Sequence, residues 1–281
     1  MRKILLFSLI GLGGWGAGPA YEIAPDIVYG HKMGMALTMD QFKPKDKPNG
    51  AGILFMVSGG WRSNWTPPET AATRLFLPLL EKGFSVFAVR HGSSPKFNIP
   101  EIMEDVRMAV RFVRWKAASL GVDANRLGVY GGSAGGHLSL MLGTASDNGK
   151  SDAKDEVERM SNRVAAVVAY FPPTDIREWV TDGPDYNKTF PALKFEKSRG
   201  PDYSPLLFVT SDDPPTLLIH GDQDKLVTLD HSEKILAAFR DHKVPSELIV
   251  MKGAGHGFQG ADATRASQAM VAWFEKYLAE R

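Results

Sequence analysis

A serine set between two glycines, where an apolar strand gives way to a helix, constrains this chain more than any other stretch. The run Arg126-Leu127-Gly128-Val129-Tyr130-Gly131-Gly132-Ser133-Ala134-Gly135-Gly136-His137-Leu138 carries the spacing G-x-S-x-G centred on Ser133. A side chain on a sharp strand-to-helix corner stands clear of the sheet, and residues without a Cβ let neighbouring backbone pass close beneath it. A helix starting at Ala134 would also direct unpaired main-chain N–H groups toward negative charge forming at the serine. In a chain with 28 glycines the spacing alone is weak. Its weight comes from the strand before it, the helix after it and an acid and a base downstream.

The rest of the chain alternates strand and helix. Ile53-Leu54-Phe55-Met56-Val57 is continuously apolar, the mark of a strand covered on both faces. It ends in Ser58-Gly59-Gly60-Trp61, where glycines after a central strand can turn backbone amides toward a bound group. Weaker strands are expected around Ile27-Tyr29 and Ala36-Phe42, and stronger ones at Ser85–Val89, Val164–Phe171, Thr216–His220 and Glu247–Met251. Helices are expected near Glu69–Lys82, over Asp230–His242 and over Ala263–Leu278. Another has Pro100 in its first turn and Ile102, Val106, Ala109, Val110, Val113 and Ala117 recurring at helical spacing. Such alternation predicts an α/β fold, with a mostly parallel central sheet and helices on both faces. No internal repeat is present, and 281 residues at 43% hydrophobic content suit one large core, expected over residues 21–281. Residues 172–215, holding Trp179, Tyr186, Phe190, Phe195 and Tyr203, form a long irregular stretch and are expected to be a lid-like insertion.

Composition narrows the function classes. Net charge is +1 and no Lys/Arg run stands out, so nucleic acid is not an expected partner. With no cysteine, disulfides, thiolate metal sites and a cysteine nucleophile are all excluded. At the N-terminus Arg2 and Lys3 precede an apolar run from Ile4 to Leu12, and small residues end in Gly18-Pro19-Ala20. That pattern predicts a secretory signal peptide over residues 1–20 and a secreted or periplasmic mature protein. A buried first strand or helix is the alternative, which the glycines from Gly11 to Gly18 suit poorly. The run is too short to span a bilayer, so no stable membrane insertion is expected.

An acid and a base follow in order. Gly221-Asp222-Gln223-Asp224 comes directly after the strand ending at His220, and Gly253-Ala254-Gly255-His256-Gly257-Phe258 directly after the strand ending at Met251. Three chemistry-bearing residues at three strand ends, in the order Ser, Asp, His, fit a serine nucleophile on an α/β sheet. Asp222 and Asp224 compete for the acid, and the neighbour of Gly221 is the better turn former. His137, His220 and His231 are read as structural.

These motifs, with Glu104-Asp105-Val106 and Ser204-Pro205-Leu206, resemble the α/β-hydrolase superfamily, in particular its hormone-sensitive-lipase-like and bacterial esterase or acetyl-xylan-esterase-like group. The resemblance covers the chain from about Ile27 onward. It implies Ser133 as nucleophile, His256 as base, Asp224 as orienting acid and Asp222 as structural. The oxyanion hole it implies consists of the N–H groups of Gly60, Trp61 and Ala134. Two departures stand out: the group's His-Gly-Gly-Gly motif reads Ser58-Gly59-Gly60-Trp61, and Gly132 replaces the acidic residue many relatives carry before the nucleophile. The cap that hormone-sensitive-lipase relatives carry ahead of the first buried strand is short here, so an open site is expected.

The expected activity is hydrolysis of short-acyl or carbohydrate-linked esters through an acyl-enzyme, needing neither metal nor organic cofactor. A small-molecule or polysaccharide-linked ester is the expected partner. A serine peptidase like the catalytic half of prolyl oligopeptidases shares the Ser, Asp, His order, and a non-catalytic binding protein could keep the fold. The Ser58 hydroxyl is expected to bond nearby backbone and hold the Gly59-Gly60 turn; the alternative is a small residue that only fills a tight turn, with the hole built from backbone geometry.

Overall fold

Eight strands form one sheet in the order β1-β2-β4-β3-β5-β6-β7-β8 in a computed structural model that describes residues 19–180 and 188–278. The predicted signal segment falls almost wholly outside the described residues. The apolar runs make the centre of the sheet: β3 (Gly52–Met56), β4 (Ser85–Val89), β5 (Leu127–Gly132), β6 (Ala166–Tyr170) and β7 (Thr216–Gly221). Each pairs in parallel with its neighbour, and β8 (Ser246–Met251) extends the parallel set at the far edge. The α/β reading therefore matches the architecture, a mostly parallel sheet with helices on both faces.

The near edge is a hairpin. β1 (Tyr21–Lys32) and β2 (Met35–Pro44) run antiparallel, and β2 joins β4 antiparallel. The connecting residues Met33 and Gly34 have φ of 50° and 79°, the pair of positive values that the tightest hairpin turn requires. β1 is much longer than the expected Ile27-Tyr29. As an edge strand with a single buried residue, Tyr29, and register shifts between Ala24 and Ile27 and between Val28 and Gly30, it buries too little for an apolar pattern to mark its length.

Helices cover both faces. On one side, α3 (Ile99–Trp115), α5 (Ala134–Thr144) and α6 (Asp230–Asp241) pack Val106, Val110, Leu138, Met141, Ile235 and Phe239 into one cluster. Asn98 starts α3 with a capping box, its side chain accepting from Glu101 N while the Glu101 carboxylate accepts from Asn98 N. That helix stops at Trp115, and Ala117 opens a separate short turn, α4 (Ala117–Leu120). On the opposite face, α7 (Gly260–Leu278) brings Met270 and Phe274 against Phe76 and Leu79. The helix expected near Glu69–Lys82 is broken into α1 (Pro68–Ala71), a π turn (Ala72–Phe76) and α2 (Leu77–Leu80). Pro78 is the cause: it has no N–H to give to the carbonyl one turn back, so the ladder shifts there.

In the irregular stretch after β6, short 3-10 turns recur at Pro191–Leu193, Lys197–Arg199, Pro201–Tyr203 and Pro205–Phe208. Ile176, Val180, Ala192 and Leu193 are fully buried in the cluster around α5, so the described parts of this insertion are anchored on the core. Tyr186 lies outside the described residues. Among the described residues no helix is long and apolar enough to cross a membrane.

Candidate active site

Every expected site residue lies at the carboxyl edge of the sheet. Ser133 sits between β5 and α5 with φ 54° and ψ −120°, a left-handed backbone that a residue with a Cβ holds only under constraint. Ser133 N donates to Tyr170 O at 2.9 Å, Gly135 N to Ser58 O at 3.1 Å, and His137 N to Ser133 O at 2.9 Å, which fixes the corner from both sides. The flanking glycines are sterically required. A Cβ on Gly131 would lie 2.5 Å from the Gly135 carbonyl carbon, and one on Gly135 would lie 2.8 Å from Met56 O.

The structure brings Ser133, His256 and Asp224 together from three loops. His256 Nε2 is 2.9 Å from Ser133 Oγ, and His256 Nδ1 is 2.7 Å from Asp224 Oδ2. With Nδ1–H donating to the carboxylate, Nε2 is left as the acceptor for the serine proton. Asp224 is itself held: its Oδ1 accepts from Leu226 N at 2.9 Å and Val227 N at 3.0 Å, and its side chain is fully buried. The other aspartate is elsewhere. Asp222 Oδ1 accepts from Gly253 N at 2.7 Å and ties the loop carrying His256 to the loop carrying Asp224.

Two neighbours of this chain of bonds carried no local signal in the sequence. His220 is fully buried, with Nδ1 2.7 Å from Ser232 Oγ and Nε2 2.8 Å from Val227 O, and Nε2 also lies 3.4 Å from Asp224 Oδ2. Burial lowers the pKa of His220, so a neutral ring presents its Nε2–H to both the carbonyl and the carboxylate. Phe171 packs on His256 with ring centroids 4.7 Å apart. Their positions at the ends of β7 and β6 were the available hint.

The turn after β3 is closed by reciprocal bonds between Gly59 and Arg62, N to O at 3.0 and 3.1 Å. Gly60 and Trp61 occupy its tip, each with φ 57°. Together with Ala134 at the start of α5, their N–H groups donate to no protein acceptor among the described residues. A non-glycine residue at positive φ needs an anchor, and the Trp61 side chain supplies it. The indole is 2% exposed, and its Nε1–H donates to His137 Nδ1 at 3.3 Å. His137 in turn gives Nε2–H to Tyr203 O at 2.7 Å, and burial holds its pKa down to about 4, so it stays neutral. One expectation fails here: Ser58 Oγ is buried without a hydrogen-bond partner, so its hydroxyl does not hold the turn. The main chain does that work instead, through Ser58 O accepting Gly135 N and through the Gly59–Arg62 pair.

These groups open on a cavity of about 600 Å³ lined by Ser133, His256, Gly60, Arg62, Phe171 and Phe190 among others. Trp65, 62% exposed, is next in sequence to Asn64 and Thr66 of its wall. Among the described residues no group of three or more His, Asp or Glu side chains is placed to hold a metal ion.

The BD-FAE family model matches residues 39–239. Esterase LipQ of Mycobacterium tuberculosis is 27% identical over 255 residues, covering 86% of this chain and 58% of its own length. The chain spans between 58% and 60% of the length of this and two further mycobacterial relatives. Among solved structures, a truncated carbohydrate esterase from gut microbiota superposes with TM-score 0.78 at 26% identity, covering 93% of this chain and 98% of that one. An acetyl ester-xyloside bifunctional hydrolase from Caldicellulosiruptor lactoaceticus shares the fold, with TM-score 0.77 at 24% identity over 93% of this chain and 98% of its own.

Proposed function

The chain belongs to the BD-FAE family, and from that membership and the groups gathered at the strand ends we propose that it is a serine carboxylic-ester hydrolase acting through an acyl-enzyme. The observation that supports this most is the continuous hydrogen-bonded line Ser133 Oγ, His256, Asp224, with spacings of 2.9 and 2.7 Å. His256 Nε2 takes the Ser133 proton as Oγ attacks the ester carbonyl, and Asp224 holds the ring in the tautomer that leaves Nε2 free. The carbonyl oxygen, now negative, is received by the N–H groups of Gly60, Trp61 and Ala134. Removal of one such donor slows enzymes of this kind by about a hundred- to a thousand-fold. The imidazolium then returns its proton to the departing alcohol. Water repeats the sequence on the acyl-enzyme and frees Ser133.

Short-acyl and carbohydrate-linked esters are the proposed substrates. The names of the two structural neighbours, the open cavity of about 600 Å³ and the exposed Trp65, next in the chain to Asn64 and Thr66 of its wall, favour them. The test is a panel of aryl esters of increasing acyl length beside an acetylated polysaccharide and a prolyl amide, each against a Ser133→Ala control. Turnover of acetyl and butyryl esters above that control is expected, and none would reject the reading; cleavage confined to the prolyl amide would favour the peptidase. Export with cleavage near Ala20 is a further part of the proposal, and N-terminal sequencing of protein from the native host checks it: a start near Tyr21 is expected, whereas Met1 on cytoplasmic material would reject it.

A further inference from the structure

Next to the catalytic cavity lies a second one of about 330 Å³, lined by Tyr130, Tyr170, Phe258, Ala266 and Met270, with Arg74, Ala263 and Ser267 also on its wall, together with four residues it shares with the first. The shared four are Phe55, Leu75, Gly132 and Phe171, so these form the boundary between the two spaces. Gly132 and Phe171 are mutually dependent. A Cβ on Gly132 would lie 3.2 Å from both Cε2 and Cζ of Phe171, so the ring occupies the room an acidic side chain before the nucleophile would need. Phe171 is held there by more than that contact: its backbone has φ 36°, its N–H donates to Ile219 O at 2.8 Å, and its ring meets Phe258 at 5.2 Å and His256 at 4.7 Å between centroids.

Resting on the ester-hydrolase reading, we infer that Phe171 sets the acyl-length limit of this enzyme by closing the second cavity off from the first. In the acyl-enzyme the acyl carbon is bonded to Ser133 Oγ, and Gly132 immediately precedes Ser133, so an acyl group passing over Gly132 meets the Phe171 ring. A short group stops before the ring. A long one needs the apolar space behind it, lined on the α7 side by Ala266 and Met270, which is large enough for several methylenes. Phe171 also supports His256 from the side, so it acts on every substrate as a positioning residue and on long acyl groups as a barrier.

The two roles separate by kinetics. Loss of His256 support lowers kcat for all esters alike, whereas loss of the barrier changes the ratio of kcat/KM between octanoyl and acetyl aryl esters. In Phe171→Ala that ratio is expected to rise by about tenfold or more, the effect of one to a few buried methylenes. Phe171→Leu should give a smaller rise, and it covers the case in which the alanine variant does not fold. Adding Ser267→Trp to Phe171→Ala fills the second cavity from α7 and should return the ratio to the wild-type value, while Ser267→Trp alone should leave it unchanged. An unchanged ratio in both Phe171 variants overturns the inference, as does a gain that appears only when the alcohol is lengthened in place of the acyl group. A ratio that falls in Ser267→Trp alone also overturns it, because the cavity would already be in use. Wild type without turnover on any ester rejects the hydrolase reading itself; wild-type turnover with an unmoved ratio rejects only the role of Phe171.

Discussion

The two halves of the catalytic edge are built from different material. Ser133, His256 and Asp224 present side chains, each from the loop after a parallel strand, and each atom in the line is bonded to the next. The turn after β3 presents main-chain N–H groups at Gly60 and Trp61, and its geometry comes from torsions and from anchors that point away from the cavity. A side-chain site depends on residue identity at its own positions. A backbone site tolerates exchange of side chains as long as the torsions survive, which is why Ser58 and Trp61 can stand where relatives are expected to carry histidine and glycine.

The difference predicts how each half breaks. Asp224→Asn should have the largest effect here, lowering kcat by about ten-thousand-fold through the wrong His256 tautomer, while Asp222→Asn should cost only a few-fold by loosening the Gly253 loop. Steady-state kinetics on an acetyl aryl ester decide it, and similar losses in the two variants would erase the distinction between them. In the backbone half, Gly60→Val should lower kcat by about a hundred- to a thousand-fold with smaller change in KM, because φ 57° suits a β-branched residue poorly and Phe190 Cδ1 lies 3.2 Å from where its Cβ would be. Activity close to wild type in that variant would show that the Gly60 amide is not used.

Smaller effects probe the anchor. Trp61→Phe keeps an aromatic ring but leaves His137 Nδ1 buried without its donor, so thermal unfolding should register a loss of about 1–3 kcal/mol. Acid should act on the same anchor. Burial holds His137 and His91 near pKa 4 in the folded protein, against an ordinary value of 6.5. The unfolded chain therefore takes up protons first, and stability that is complete above pH 6.5 is lost progressively as pH falls toward 4. Tm measured across that range should decline, and His137→Gln should flatten part of the decline. Ser58→Ala is the smallest case: its hydroxyl makes no bond, so kcat should stay within about two-fold, and a loss of a hundred-fold would restore a role for that oxygen.

The same division governs what could be read from the amino-acid sequence. β3, β4, β5 and β7 are buried on both faces and announce themselves as apolar runs, so the sheet and the loops at its carboxyl ends were legible. Ser133 and His256 followed from those strand ends, while Asp224 and Asp222 stayed in competition until the resemblance was considered. β1 was legible only in part, since an edge strand with register shifts lacks a continuous apolar face. How the 58–61 turn is held is not legible at Ser58 itself, because the support is the Gly135 N to Ser58 O bond, made between residues far apart in the chain. Contacts such as Phe171 on His256 and Phe190 over Gly60 join distant segments, and no local periodicity records them.

The central claim is that Ser133 carries the acyl group. Rapid quenching during turnover of an acetyl aryl ester, followed by peptide mass spectrometry, tests it at the bond itself. One acetyl group on Ser133, appearing with a burst of the aryl alcohol and absent in His256→Ala over the same interval, is the predicted result. Turnover with an unmodified Ser133 at every time point, or an acetyl group on another residue that forms and decays at the catalytic rate, would contradict it.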